Sequence, residues 1–212
     1  APYDESLSDA VQPYDPNKTV VLIVHGLMDT PATWAPMLNR LRGDEAIRRN
    51  YQFWFYSYPS GYPYPYSAAI LRRELDAIEK RFPLRRPMVV IGHSMGGLVL
   101  RSACHYAGQH QESWVQQVRH ILYLGTPHDG ADLERFTHSA AGILQAVPNR
   151  ITRLISNTLN SRSRGIKDLR YGTLLEPDVM DEGWDDAAHH HSRAVPWLPH
   201  AQHYLVGGTW HG

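Results

Sequence analysis

Ser94 stands in Gly92-His93-Ser94-Met95-Gly96, directly after the apolar run Val89-Val90-Ile91 and directly before a helical pattern. A strand, one sharp turn and a helix in this order form a nucleophile elbow, which lifts a serine hydroxyl clear of a sheet on a strained turn. Strand and helix pass close on either side of that turn. Gly92 and Gly96 are therefore expected to face each other with no room for a Cβ. A serine hydroxyl is a weak nucleophile alone, so the chemistry also needs a histidine base oriented by an acid.

The elements that would position Ser94 follow from periodicity. Residues 1–18 are polar, proline-bearing and aperiodic and read as an N-terminal arm; residues 19–212 read as one domain. Thr19 opens the continuous apolar run Val20-Val21-Leu22-Ile23-Val24, the pattern of a parallel strand covered on both faces, and the run closes on His25-Gly26-Leu27. Thr30-Pro31 is a helix start, with Thr30 as cap, and Trp34, Met37, Leu38 and Leu41 follow on one face. Tyr51 to Tyr58 is an aromatic strand ended by Pro59-Ser60-Gly61. The loop Tyr62-Pro63-Tyr64-Pro65-Tyr66 either packs the rim or lines a mouth for an apolar substrate. Ser67 is expected to cap a helix running to about Phe82, with Ile70, Leu71, Leu75 and Ile78 inward and Arg72, Arg73, Asp76, Glu79 and Lys80 mostly on a solvated face.

After the turn at Ser94, Leu98, Val99 and Tyr106 face inward and Gly108 is the expected helix end. His120 to Leu124 is the next strand, ending in Gly125-Thr126-Pro127-His128-Asp129-Gly130. Strands and helices alternating in this way make an α/β fold with a mostly parallel sheet flanked by helices, whose functional groups gather at the carboxyl ends of the strands. In residues 131–170 apolar positions recur at helical spacing, either as a lid inserted over the site or as scaffold helices. Residues 171–200 read as loop. Adjacent His189-His190-His191 side chains diverge, so a solvated loop is expected there and no metal site. A last strand begins at His203-Tyr204-Leu205-Val206 and ends in Gly207-Gly208.

Composition narrows the class of partner. With 42% hydrophobic and 20% charged residues over 212 positions, the chain can bury a full core. Twenty-one basic and twenty-one acidic side chains give a formal net charge of +0 without a charged block, which argues against a nucleic-acid partner or an anionic membrane surface. No apolar run reaches the ~18 residues of a membrane span. Cys104 is the single cysteine, so no internal disulfide forms, and its place in the helix after Ser94 makes it a small buried apolar residue. The start at Ala1-Pro2 suits a processed exported form or a fragment of a longer protein, leaving cytoplasm and export both open.

Val24-His25-Gly26-Leu27, Gly92 to Gly97, Gly125-Thr126-Pro127-His128 and Gly165 to Arg170 followed by the last strand together resemble the α/β-hydrolase superfamily. The likeness is to bacterial lipase- and esterase-like members related to triacylglycerol lipases and glycosylphosphatidylinositol inositol-deacylases, and it covers nearly the whole chain from about residue 18. It implies hydrolysis of a small-molecule or lipid carboxylic ester, with Ser94 as nucleophile and the Leu27 and Met95 amides as oxyanion donors. It implies no metal and no organic cofactor.

The same resemblance places the triad acid just after the last strand and the histidine after one more, but the sequence stops at Gly212. Three readings follow. The partners belong to a remaining C-terminal segment, on a longer chain, a separate fragment or another chain; or His211 or His203 acts with Asp181 or Asp185; or the fold is a catalytically inert binding protein. His25, His93 and His128 close strands or flank the turn and are read as structural or mouth-lining.

Overall fold

The computed structural model describes residues 14–27, 29–60, 62, 64–128 and 195–207. Residues 1–13 of the expected arm, the 131–170 lid or scaffold helices, the 178–191 acidic and histidine run, and His211 lie outside the described residues.

Five strands form one parallel sheet: β1 Thr19–Val24, β2 Tyr51–Tyr56, β3 Met88–His93, β4 Val118–Leu124 and β5 Gln202–Val206, in the order β2-β1-β3-β4-β5. The register sets Val24 level with Tyr56 and Gly92, His93 level with Leu124, and Leu124 level with Val206. All carboxyl ends therefore open on one edge. From β1 the chain crosses to β2 on one side, and then returns past β1 to β3 on the other. The direction of winding reverses between β1 and β3, where open α/β sheets leave a crevice.

Alternate residues of the strands supply two cores. Leu22, Val24, Val90 and Ile121 pack under helices α3 Tyr64–Arg81 and α4 Met95–Gln109, together with Leu71, Leu75, Leu98 and Trp114. Val21, Ile23, Phe53, Phe55 and Ile91 pack on Trp34 and Leu38, from a 3₁₀ turn, Pro31–Trp34, and helix α1, Ala35–Gly43. Both faces of β1 are covered, which is why its run is unbroken by polar residues. Tyr14 and Asp15, from the expected arm, pack on the domain: the Tyr14 hydroxyl donates to the Pro83 carbonyl, and buried Gln52 donates to the Asp15 and Lys18 carbonyls. Among the described residues no helix is long and apolar enough to cross a membrane.

Several local expectations need correction. Thr30 precedes Pro31 with extended backbone but makes no side-chain cap bond. The Asp29 carboxylate instead accepts the Thr30 amide at 2.8 Å. Helix α3 begins at Tyr64, three residues before Ser67, because Pro65 in a first turn has no amide to lose. Ser67 lies buried inside the helix, where its carbonyl takes the Tyr56 hydroxyl at 2.8 Å. Arg72 leaves the solvated face to pair with Glu112 at 2.7 Å, with only 12% of its side chain exposed. Helix α4 runs past Gly108 to Gln109, and the left-handed residue beyond it is Gln111, at φ 55°. A short helix α2, Glu45–Asn50, had no expectation at all; Asp44 caps it by accepting the Ala46 and Ile47 amides.

Candidate active site

Ser94 sits between the end of β3 and the start of α4 at φ 51° and ψ −122°, a backbone conformation that L residues adopt only under constraint. Its surroundings supply the constraint. The Ser94 amide donates to the Leu124 carbonyl at 2.8 Å, extending the β3–β4 ladder by one step, and the Ser94 carbonyl takes the Gly97 amide at 3.1 Å. Glycine provides the remaining room. A Cβ on Gly92 would stand 2.5 Å from the Gly97 Cα and 2.9 Å from the Gly96 carbonyl carbon, as expected for strand against helix. Gly96 does not face Gly92 in return. A Cβ there would strike the Val24 and His25 carbonyls, so the first turn of α4 rests on the end of β1.

Leu27 reaches the same place from β1. It follows Gly26, on which a Cβ would lie 3.1 Å from the Ser94 Cβ and 3.1 Å from both Nδ1 and the carbonyl oxygen of His93. The loop carrying Leu27 thus touches the turn carrying Ser94. Met95 is the first residue of α4 and fully buried, and an opening amide of a helix has no acceptor within it. Ser94, Leu27 and Met95 are thereby brought to one point, at the carboxyl edge and beside the β1/β3 crevice.

The histidines around this point differ. His25 is buried and stacks on Tyr58 with ring centroids 4.4 Å apart. Its Nδ1–H donates to the Gly26 carbonyl at 2.8 Å, and its Nε2 accepts the Tyr58 amide at 3.2 Å. Burial lowers its pKa against the opposing pull of these bonds, so the ring is neutral and both nitrogens are occupied. His93 is 40% exposed and points Nδ1 at the Asp29 carboxylate, 3.3 Å away. Burial raises the Asp29 pKa, but hydrogen bonds from His93, Thr33 and the Thr30 amide outweigh it and hold the carboxyl well below the usual carboxylate range.

His128 and His203 belong to a second cluster on the β4–β5 side. Arg101 lies over the Trp197 ring at 4.3 Å, meets His128 Nδ1 at 3.2 Å, and donates to the Val195 carbonyl at 2.7 Å. The His203 ring stacks on Tyr123 and donates from Nε2 to the Leu198 carbonyl at 3.0 Å. His203 is level with Ile121, and Ile121 with Val90, four residues short of Ser94 on β3. At ~3.3 Å per residue this sets it about 13 Å back along the sheet, too far to serve Ser94 as a base. Asp181, Asp185 and His211 lie outside the described residues. Cys104 is buried as expected, and burial pushes its thiol pKa up to about 12.

Sequence reading overlooked Asp29, Tyr58 and Arg101. Asp29 carried a weak signal, an acid two residues after His-Gly-Leu and five before a tryptophan; Arg101 and Tyr58 carried none, because their partners are distant in the chain.

Over residues 17–193 the chain matches the family model described as the PGAP1-like alpha/beta domain. No curated protein matches it significantly. Among solved structures, the mature form of the Bacillus licheniformis lipase BlEst2 superposes with a TM-score of 0.54 at 19% identity, over 90% of this chain and 66% of the lipase. The propeptide form gives 0.52 at 20% identity, over 93% of this chain and 37% of that one. YbtT, a type II thioesterase from the yersiniabactin biosynthetic pathway, gives 0.53 at 14% identity, over 93% and 87%. The chain therefore spans about two thirds of the mature lipase and little more than a third of its propeptide form. At such identities the likeness is one of fold. With the family match running through most of the chain, the protein belongs to the PGAP1-like alpha/beta domain family, and its parallel sheet flanked by helices is the α/β-hydrolase fold.

Proposed function

We propose that the protein is a serine carboxylic-ester hydrolase of the esterase or lipase type. Ser94 Oγ attacks the ester carbonyl carbon and gives its proton to a base, the alkoxide leaves as the alcohol, and water then releases the acid from the acyl-serine. The Leu27 and Met95 amides hold the oxygen that carries negative charge in between. The observation that carries this reading is the backbone of Ser94, held at φ 51° and ψ −122° where β3 meets α4 with the Gly26–Leu27 loop against it. Strain of this kind is retained where the surroundings enforce it, and here it serves to expose one hydroxyl.

An apolar acyl group is the favoured substrate. Tyr62 and Tyr66 stand half-exposed and edge to face, at 5.7 Å, where the chain leaves the carboxyl end of β2, the same edge as Ser94. The fold neighbours include one protein named a lipase and one named a thioesterase, which supports acyl transfer to water on this fold. The triad acid and base are assigned to segments outside the described residues.

The test is reaction of the full chain with a fluorophosphonate, read by intact mass and peptide mapping, beside turnover of p-nitrophenyl esters of increasing chain length. The expected result is a single adduct on Ser94 and turnover that Ser94→Ala lowers on the order of 10⁴-fold or more without loss of fold. A folded protein that neither labels nor turns over ester is a binding protein on this scaffold, and the proposal fails. Preference for thioesters over oxygen esters would overturn the substrate class while leaving the assignment of Ser94.

A further inference from the structure

Leu27 and Ser94 come from different strands, and an oxyanion site works only if their amides converge on one oxygen. Donors must fall within ~2.7–3.1 Å of it. Gly26 allows the two segments to touch, but contact alone does not set a direction. Among the described residues, the side chain that joins the Leu27 loop to the residue before Ser94 is Asp29.

Its carboxylate makes bonds in both directions. Oδ2 accepts from His93 Nδ1 at 3.3 Å and from Trp34 Nε1 at 3.1 Å, and Oδ1 accepts the Thr30 amide at 2.8 Å. The Asp29 amide donates to the Gly26 carbonyl at 3.4 Å, which closes the tight turn containing Leu27. Only 7% of the Asp29 side chain is exposed. Trp34 meets the His93 ring edge to face at 5.9 Å and covers the pair. The Asp29 amide thus closes the turn that carries Leu27, and the carboxylate ties the residue ending that turn to the 3₁₀ turn after it and to the strand end before Ser94.

We infer that Asp29 is a positioning residue for the oxyanion site: through His93 it fixes the Gly26–Asp29 turn against β3 and so aims the Leu27 amide at the oxygen of the reacting ester. This rests on the Ser94 and Leu27 reading above. Asp29 touches no substrate. The interaction it sets matters most when the oxyanion has formed, so its loss lowers kcat and leaves KM nearly unchanged. Its low pKa keeps the carboxylate charged under all ordinary assay conditions, so the bond to His93 is not titrated away on the carboxylate side.

The experiment uses the full chain with Asp29→Ala, Asp29→Asn, His93→Ala and the double variant Asp29→Ala/His93→Ala. Kinetics on a p-nitrophenyl ester, thermal melting and ¹H–¹⁵N spectra are recorded for each. A donor displaced by about 1 Å costs on the order of 10²-fold, so Asp29→Ala is expected to lower kcat by about that factor with KM within about twofold. Asp29→Asn, which keeps an acceptor oxygen, falls between it and the wild type. The double variant is expected to be no slower than Asp29→Ala, because both changes cut the same link. The Leu27 amide resonance moves in Asp29→Ala while those of β2 stay in place. A lowered melting temperature with wild-type kcat, or losses that multiply in the double variant, would overturn the inference. If the wild type neither labels nor turns over, the Ser94 reading fails, and the Leu27 resonance still decides whether Asp29 positions that amide: an unmoved resonance ends the idea.

Discussion

β1 and β3 lie side by side and each reaches the carboxyl edge at a histidine, His25 after Val24 and His93 after Gly92, yet the two rings have opposite fates. Tyr58, just beyond β2, stacks on His25 and occupies its Nε2, and the Gly26 carbonyl occupies its Nδ1. Among the described residues no aromatic covers His93 face on; Trp34 meets it edge to face. His93 keeps 40% of its side chain exposed and spends Nδ1 on Asp29. Residue type is the same; the neighbouring layer differs. A histidine beside a reactive serine is therefore a base, a strut or a link according to which of its nitrogens the fold leaves open.

The comparison breaks most completely where both strand ends meet α4. Gly96→Ala puts a methyl group against the Val24 and His25 carbonyls, which are backbone and cannot swing aside. It is expected to destabilise the fold by about 3 kcal/mol in chemical denaturation. Gly43→Ala, at the end of α1 with nothing within 4 Å, should instead stabilise by about 0.5 kcal/mol, and a similar loss at both positions would show that packing at Gly96 is not the cause.

Exchanging the histidines sharpens it next. His25→Phe keeps the ring but strands the Tyr58 amide and takes the shorter of its two donors from the Gly26 carbonyl, at a cost of about 2 kcal/mol, while His93→Phe costs about 1 kcal/mol or less. Acid titration of stability should separate the two sites as well. Burial lowers the His25 pKa from 6.5, so its contribution is complete above that pH and is lost as the pH falls towards the lowered native value. Asp29 also has a lowered pKa, but its contribution is present above the usual carboxylate range and is lost only in stronger acid, below that range. His25→Phe should shrink the first decline, part of which belongs to His105 because burial lowers its pKa too, and leave the second. Equal declines in wild type and variant would mean that His25 is not held neutral.

A modest effect belongs to the strained turn itself. Ser94→Gly relaxes φ 51° and ψ −122° and should raise stability by about 1 kcal/mol while abolishing serine labelling. A loss of stability there would show that the serine side chain makes bonds which outweigh the strain of its backbone.

How far the site could be read beforehand varied by element. The β1 run was legible because burial on both faces leaves no polar residue in it, and the turn at Ser94 because close approach permits only glycine at Gly92 and Gly96. Thr30 and Ser67 misled for one reason: each stands where a cap would fit, and a neighbour did the work. Asp29 took the Thr30 amide, and Pro65 allowed α3 to start before Ser67. Arg72 looked like a surface charge because its partner, Glu112, lies 40 residues on, just beyond the end of α4, and is brought over only by helix packing.

From the sequence by itself came the alternation of strands and helices, the parallel sheet and the glycines that flank Ser94. These follow from sterics and burial period, which act over a few residues. The tertiary structure alone decided that the strands pair in the order β2-β1-β3-β4-β5, that Gly96 rests on β1, that His25 is closed off while His93 is tied to Asp29, and that His203 stands well back from Ser94. Each of these depends on contacts between residues distant in the chain, whose geometry no local pattern encodes.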